Sequence, residues 1–153
     1  MPSDCSGVFD LLLGDWTFTR EIPGYASATG EARISLEDEN RARYQETALV
    51  SLVEGSSLDG TQCYLYRRLP PPANGLQILF CDSGQLFEQL EFEEQENGAL
   101  EARARCLCAA DEYVSEYRLD RRQRLYVRHV VRGPRKNYQV ETLYQRLPQT
   151  PAR

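Results

Sequence analysis

The sequence predicts an all-β protein, a single antiparallel up-and-down β-barrel of about eight to ten strands with a short N-terminal helical turn. Three observations support this fold class. Short segments alternate apolar and polar residues, turn signals return roughly every 8–12 residues, and no segment has the periodicity of a crossover helix. Because nearly every connection is short, we expect the strands to follow one another in up-and-down order.

The N-terminal helical turn is predicted at residues 8–13. Ser6 is a suitable N-cap and Gly14 a suitable stop. A first strand follows at residues 16–22, and its alternation places four side chains on one face: Trp16, Phe18, Arg20 and Ile22. An arginine in an otherwise apolar row indicates a polar barrel interior.

Nine further strands are predicted from the same alternation. In the strand at 42–53, one face carries Tyr44, Glu46, Ala48 and Val50. Glycine, proline and acidic residues separate the segments and mark the turns. The predicted strands cover residues 28–36, 42–53, 61–69, 76–81, 86–93, 100–108, 112–119, 125–132 and 137–147.

The length and net charge of the chain indicate which classes of protein it fits. The 153 residues fit one domain spanning 1–153, with a core at about 7–147 and a flexible tail at 148–153. A net charge of −5 argues against nucleic acid as the main partner. We find neither the ~20 apolar residues of a membrane helix nor a signal-peptide pattern. These features predict a cytoplasmic protein without a membrane anchor.

The cysteines predict neither a disulfide framework nor a metal site. Their number, five, is odd, and the chain reads as cytosolic. Cys106 and Cys108 share one face of a strand, but a zinc site usually needs a second pair or nearby histidines. The sequence has one histidine, His129. Nothing is similar to a catalytic triad, a P-loop or a dinucleotide motif, so no particular cofactor is indicated.

Two features at opposite ends of the chain carry a first resemblance. Gly14-Asp15-Trp16 opens a strand after a helical turn, and Arg146 lies near the end of the last strand. This pattern is similar to that of lipocalins and related calycins. The resemblance implies that Trp16 closes one end of the barrel and that Arg146 lies over its indole ring as a cation–π pair.

Eight motifs carry a second resemblance over nearly the whole chain. They are Leu13-Gly14-Asp15-Trp16, Thr29-Gly30-Glu31-Ala32, Tyr44-Gln45-Glu46, Tyr64-Leu65-Tyr66, Phe80-Cys81-Asp82, Cys108-Ala109-Ala110-Asp111-Glu112-Tyr113, Gly133-Pro134-Arg135-Lys136-Asn137-Tyr138 and Tyr144-Gln145-Arg146. With these motifs the chain resembles the uncharacterised DUF6314 family. The resemblance implies a calycin-like barrel with no established activity.

The chain departs from that family pattern in three places. Glu88 stands where a histidine usually follows Phe87, and His129 stands where a tryptophan is usual. A histidine usual shortly before Cys108 is also missing. The resemblance implies that any chemistry of those histidines is lost here or is rebuilt around Glu88 and His129.

The turn Gly133-Pro134 precedes two cations, Arg135 and Lys136, at the start of the last strand. One interpretation is an anion-binding barrel mouth for a carboxylate or phosphate. The other is a turn in which a cation pairs with a structural acid such as Asp111 or Glu46.

Two more polar candidates lie on neighbouring strands. Asp111 with Tyr113 suits a ligand clamp or proton donor; alternatively, Asp111 caps its turn while Tyr113 packs inside. His129 has the parity of Val127 and Val131, which points it into the barrel. It is either a candidate general base or a satisfied core residue.

Three functional hypotheses remain. The leading one is non-enzymatic binding of a small amphipathic or anionic molecule in the barrel interior, by Arg20, Tyr44, Glu46, Tyr66, Phe80, Tyr113, His129, Lys136 and Tyr138. The second is a protein-interaction module of a larger assembly, with a basic docking turn that carries Arg118, Arg121, Arg122 and Arg124. The third is an enzyme that uses His129 with Asp111 or Glu46. An open interior on which the polar groups converge would favour the first.

Overall fold

The computed structural model describes residues 7–147, which form one short helix and eleven antiparallel strands. The helix α1 spans Val8–Leu12. The strands are β1 (Gly14–Ile22), β2 (Ala26–Asp38), β3 (Arg41–Leu52), β4 (Ser57–Arg68), β5 (Gly75–Phe80), β6 (Leu86–Glu91), β7 (Glu93–Glu94), β8 (Leu100–Cys108), β9 (Asp111–Leu119), β10 (Arg124–Arg132) and β11 (Asn137–Arg146).

The strands form one sheet that curls into a nearly closed barrel. Strands adjacent in the chain pair with each other except β6 and β7, and β1 also pairs with β11. Within residues 7–147, β6 and β8 contact each other without a hydrogen-bonded ladder. We call this gap the seam. The arrangement confirms the predicted all-β antiparallel barrel.

The structure has one strand more than the sequence predicted, and the difference lies near Phe92. The strand predicted at residues 86–93 is divided, because β6 ends at Glu91 and Glu93–Glu94 pairs with β8. Between them the Phe92 side chain is buried, and its backbone N–H donates to the Asn74 carbonyl at 2.7 Å. The chain therefore changes its pairing partner at a position that alternation of side chains does not reveal.

The predicted inward faces of β1 and β3 are confirmed. Trp16 and Phe18 are buried in β1, and Tyr44, Glu46 and Ala48 are buried in β3. Each large apolar side chain that leaves water here contributes about 1.5–3 kcal/mol to folding. The core is therefore built from alternate residues of strands distributed around the barrel.

The helix α1 covers one end of the barrel, which we call the closed end. Val8, Phe9 and Leu12 are buried there. The N-cap is Gly7, without a capping side chain, and Ser6, the predicted cap, lies outside the described residues, as does the predicted tail. The Asn74 side chain instead accepts the Val8 backbone N–H at 2.8 Å. Within residues 7–147, no helix has the length and apolar character needed to cross a bilayer.

Gly14 has a different role from the predicted helix stop. The C-cap of α1 is Leu13, and Gly14 already begins β1, with a φ of 127° that residues with a side chain rarely adopt. A Cβ atom at this position would also collide with the Arg146 guanidinium. Glycine therefore lets the strand start directly beneath Arg146.

Trp16 and Arg146 meet at the closed end. They are opposite each other in the β1–β11 register, and the Arg146 guanidinium carbon lies 4.2 Å from the indole centroid. Arg146 also donates to the carbonyls of Leu13, at 2.6 Å, and Leu11. The Trp16 indole N–H donates to the Leu12 carbonyl at 3.0 Å. The closure predicted from the lipocalin resemblance is present.

The other end of the barrel, which we call the mouth, is formed by five hairpin turns at residues 23–25, 53–56, 81–85, 109–110 and 133–136. No part of α1 reaches it, since that helix lies at the opposite ends of the strands. The turn that begins with Gly133 therefore lies at the mouth, as expected from its distance along β11 from Arg146.

A disulfide bond joins Cys63 and Cys81, although the sequence predicted no disulfide framework. The antiparallel pairing of Tyr64 with Phe80 places the two cysteines opposite each other, with Cα atoms 5.8 Å apart. Their sequence separation of 18 does not reveal this register. Disulfides are rare in the cytosol, so the bond weighs against the predicted cytoplasmic location.

Removal of this disulfide is expected to destabilise the fold. A Cys63→Ala/Cys81→Ala variant should lose about 2–3 kcal/mol in the free energy of unfolding, because the bond closes a loop in the unfolded chain. Urea unfolding measures the loss, with Cys106→Ala as the control. Alkylation of the denatured wild type should label two more cysteines after reduction than before it; equal labelling would contradict the bond.

Candidate ligand-binding cavity

The barrel encloses a cavity of about 370 Å³ that reaches from Trp16 at the closed end to Tyr138 at the mouth. This volume lies within the roughly 300–1,000 Å³ typical of small-molecule sites. Much of the wall is aromatic, with rings that include Tyr44, Tyr64, Tyr66, Tyr113, Tyr117 and Tyr144. Alternating inward positions of many strands supply them, so the wall surrounds the cavity.

A network of polar side chains around Arg20 forms part of the cavity wall. Its guanidinium donates to both carboxylate oxygens of Glu46, at 2.8 and 3.0 Å, and to the Thr142 hydroxyl at 2.9 Å. The Tyr44 hydroxyl donates to Glu46 at 2.5 Å and lies 2.8 Å from the Tyr144 hydroxyl. The network satisfies both charges with each other and with neighbouring hydroxyls.

The electrostatics keep this network in one protonation state. Burial lowers the pKa of Arg20, but the hydrogen bonds to Glu46 and the charges of Tyr144, Glu46 and Tyr44 together outweigh burial, so the net pKa lies above its ordinary value. Burial, with Tyr144 and Tyr66 nearby, raises the pKa of Tyr44 well above its ordinary value. Arg20 therefore stays charged and Tyr44 stays a donor.

A second polar cluster surrounds His129. The His129 Nδ1 atom lies 2.6 Å from the Ser115 hydroxyl and 4.0 Å from Glu88 Oε2. The Tyr117 hydroxyl donates to Glu88 Oε1 at 2.8 Å. Glu88 Oε2 is buried without a hydrogen-bond partner among the described residues. We call Glu88, Ser115, Tyr117 and His129 the histidine cluster.

The contact between His129 and Glu88 is not an ion pair at neutral pH. Burial, with a smaller contribution from the charge of Arg20, lowers the pKa of His129 to about 4. Burial raises the pKa of Glu88, and the nearby Ser115 and Tyr117 hydroxyls oppose that rise. The imidazole is therefore neutral, and an ionised Glu88 has no cation beside it.

The structure brings most of the predicted binding residues to the cavity. The wall includes seven of the nine, which are Arg20, Tyr44, Glu46, Tyr66, Tyr113, His129 and Tyr138. Phe80 is not among the lining residues and packs on the ring of Phe87, with centroids 5.0 Å apart. Their role in binding remains a prediction.

Lys136 does not reach the cavity. Its Nζ atom lies 3.3 Å from Asp111 Oδ2, and the lysine side chain is 46% exposed. The Asp111 carboxylate and neighbouring charges raise the pKa of Lys136. This ion pair is the alternative considered for the Gly133 turn, and it removes both Lys136 and Asp111 from the interior.

The acid beside His129 is also different from those predicted. Glu46 binds Arg20 and Asp111 binds Lys136, whereas Glu88 approaches His129. Glu88 and His129 are two of the positions at which the sequence departs from the family pattern. These two departures from the family pattern are the feature of the sequence that points to the histidine cluster.

Two of the four arginines in the basic turn after β9 have local acidic partners. Arg124 pairs with Asp120 at 3.0 Å, and Arg118 lies 3.6 Å from Glu101. Arg118 also lies over the ring of Tyr126, at 5.7 Å from its centroid. A docking role for this turn remains a prediction.

Cys106 and Cys108 face the same side of β8, as predicted. Their sulfur atoms are 3.3 Å apart, and both cysteines are free. Burial, the contact with Cys108 and the charge of Glu88 raise the pKa of Cys106 to about 11, so this thiol stays protonated. Within the described part of the chain, no three His, Cys, Asp or Glu side chains gather as metal ligands would.

Comparisons with known proteins support the barrel. A model described as "Family of unknown function (DUF6314)" matches residues 12–146. No curated protein matches significantly.

The S-type phycobiliprotein lyase of Guillardia theta is similar in structure, with 11% identity, coverage of 95% of this chain and 96% of that chain, and a TM-score of 0.55. A redesigned β-barrel bound to DFHBI has 10% identity, coverage of 92% and 100%, and a TM-score of 0.46. At 11% identity the likeness to the lyase shows the fold alone.

Proposed function

This chain belongs to the DUF6314 family, and from that premise we propose that it binds a small amphipathic, largely aromatic molecule in its barrel without transforming it. The observation that carries the proposal is the cavity of about 370 Å³ with its aromatic wall. Aromatic rings offer apolar faces together with polar edges, which suits a ligand with both characters. We assign the barrel to the calycin type because Trp16 and Arg146 close one end.

The charges favour an amphipathic ligand over an anionic one. Arg20 is the cation that reaches the cavity, and Glu46 already neutralises it through two hydrogen bonds. Lys136, the other predicted anion contact, is paired with Asp111 on the outside. An anion would have to displace a buried carboxylate from Arg20, which costs several kcal/mol.

The same contacts argue against catalysis. Ser115 is fully buried, so its hydroxyl is not available as a nucleophile even though His129 lies beside it. The acids predicted to assist His129 are engaged elsewhere, by Arg20 and Lys136. Binding therefore accounts for the interior better than acid–base chemistry does.

Aminoanthracene, an uncharged fluorescent molecule, tests the proposal. We expect its emission to increase and shift to the blue on titration with the wild-type protein, because it leaves water for the aromatic wall. A Val140→Trp substitution fills part of the cavity and should weaken binding about tenfold, since one steric overlap costs about 1–3 kcal/mol.

Val53→Trp is the matched control, because Val53 is 72% exposed in a hairpin turn at the mouth. It should bind the probe as the wild type does. No emission change with the wild type, or equal weakening in both variants, would contradict binding in the cavity. Native mass spectrometry of protein purified from its own source should show a retained small molecule.

A further inference from the structure

We propose that the ligand carries a protonated nitrogen, such as an amine, which donates a hydrogen bond to Nε2 of His129, and that Glu88 supplies the negative charge behind it. This inference rests on the proposed function, because it names the polar group of a ligand in the same cavity. It starts from an unpartnered carboxylate oxygen in the histidine cluster.

Glu88 is the buried group whose charge lacks compensation. Its side chain is 0% exposed, and one oxygen accepts from the Tyr117 hydroxyl. The other oxygen has no partner among the described residues, and His129 Nδ1 lies 4.0 Å from it. A buried carboxylate without a counter-charge is costly. A cation that enters the cavity supplies this missing counter-charge, and its binding is stabilised by the attraction.

Ser115 lies against the imidazole. Its hydroxyl is 2.6 Å from His129 Nδ1, and Glu88 Oε2 is 4.0 Å from the same nitrogen. The negative charge of Glu88 favours the tautomer with the proton on Nδ1, which then donates to the Ser115 hydroxyl. A neutral imidazole with its proton on Nδ1 has a free lone pair on Nε2.

The free nitrogen belongs to the part of His129 that faces the cavity. His129 lines the cavity and its side chain is 23% exposed, whereas Ser115, which faces Nδ1, is fully buried. The exposed edge is therefore the one that carries Nε2. A ligand N–H that reaches this edge donates to Nε2, and the Glu88 carboxylate on the Nδ1 side of the ring stabilises its positive charge.

The charges around the cavity favour a cation at this point. Arg20 and Glu46 line the cavity and neutralise each other, whereas Glu88 is buried behind the lining residue His129, with one oxygen unpartnered among the described residues. Phe87 and Tyr117 pack around the imidazole with ring centroids at 6.3 and 5.9 Å. Aromatic faces also attract cations, whereas a ligand carboxylate would meet Glu88 as a like charge.

Three naphthalene derivatives of similar shape test the inference. Naphthylmethylamine, naphthylmethanol and naphthoate are allowed to displace aminoanthracene at neutral pH. We expect the wild type to bind the amine at least about tenfold more tightly than the carboxylate, with the alcohol between them, given the interaction of charges several ångströms apart in a protein interior. Glu88→Gln should remove most of this preference while it keeps an acceptor for Tyr117.

The control is Glu116→Gln, which changes an exposed carboxylate by the same substitution and should leave the ranking unchanged. A wild type that binds aminoanthracene but prefers naphthoate, or a Glu88→Gln variant that keeps the full preference for the amine, would overturn the inference and leave the proposed function intact. Failure to bind any of the four compounds would contradict the proposed function itself. If Glu88→Gln does not fold, the wild-type ranking decides.

Discussion

Replacement of Glu46 by alanine is expected to lower the free energy of unfolding by about 3–5 kcal/mol. The substitution leaves Arg20 charged in the interior, because the pKa of a guanidinium is too high for it to lose its proton on folding. It also removes the acceptor of the Tyr44 hydroxyl. Urea unfolding followed by tryptophan fluorescence measures the loss.

A double variant separates the cost of an unpaired charge from the value of the pair. Arg20→Met/Glu46→Leu removes both charges at similar volume, and it should recover most of the lost stability. Glu116→Ala is the control, because its partners Arg103 and Arg128 are exposed and surface pairs contribute little. A double variant as unstable as Glu46→Ala would contradict the buried-charge explanation.

Replacement of Trp16 by alanine is expected to cost about 3–5 kcal/mol as well. The indole is 1% exposed, and its loss leaves a void beneath α1 and removes the ring under Arg146. Because the wild-type signal from tryptophan disappears with this substitution, circular dichroism is the measurement of choice.

Two further variants show which contact of Trp16 matters. Trp16→Phe keeps a ring under Arg146 but removes the N–H that binds the Leu12 carbonyl, so its loss should be smaller than that of alanine. Tyr25→Ala changes an aromatic residue that is 60% exposed and should have little effect. Equal losses in Trp16→Ala and Tyr25→Ala would disprove the role of Trp16 as the end closure.

The fold could be predicted from the sequence because each strand has its own signal. Alternation in β1 and β3 placed Arg20 and Glu46 on inward faces, and the structure joins these two side chains directly. The pairing itself was beyond the sequence, because it depends on the register of β1 with β2 and of β2 with β3. The same limit applies to Cys63 and Cys81, which meet through the register of β4 with β5.

The candidate site was predicted less completely, for two physical reasons. Lys136 was assigned to the interior from its motif, but a residue in a turn can point away from the barrel, and Asp111 holds it outside. Glu88 stood out in the sequence only as a departure from the family pattern, because composition does not show that β6 turns this one carboxylate inward across the seam. The alternation of side chains along each strand therefore identified most of the cavity-lining residues. It did not identify their hydrogen-bond and ion-pair partners.

The pairing of β1 with β11 has a consequence for the order in which the chain folds. Thr17 and Gln145 contact each other across 128 positions of sequence, whereas most other strand pairs join neighbours in the chain. Closing a loop of this length costs conformational entropy, and the contacts between the two strands offset that cost only after the loop has closed. Two meanders, β1–β6 and β7–β11, can each assemble locally, and the slow step is then their union at β1 and β11. We therefore expect the contact of Trp16 with Arg146 at the closed end to form late in folding.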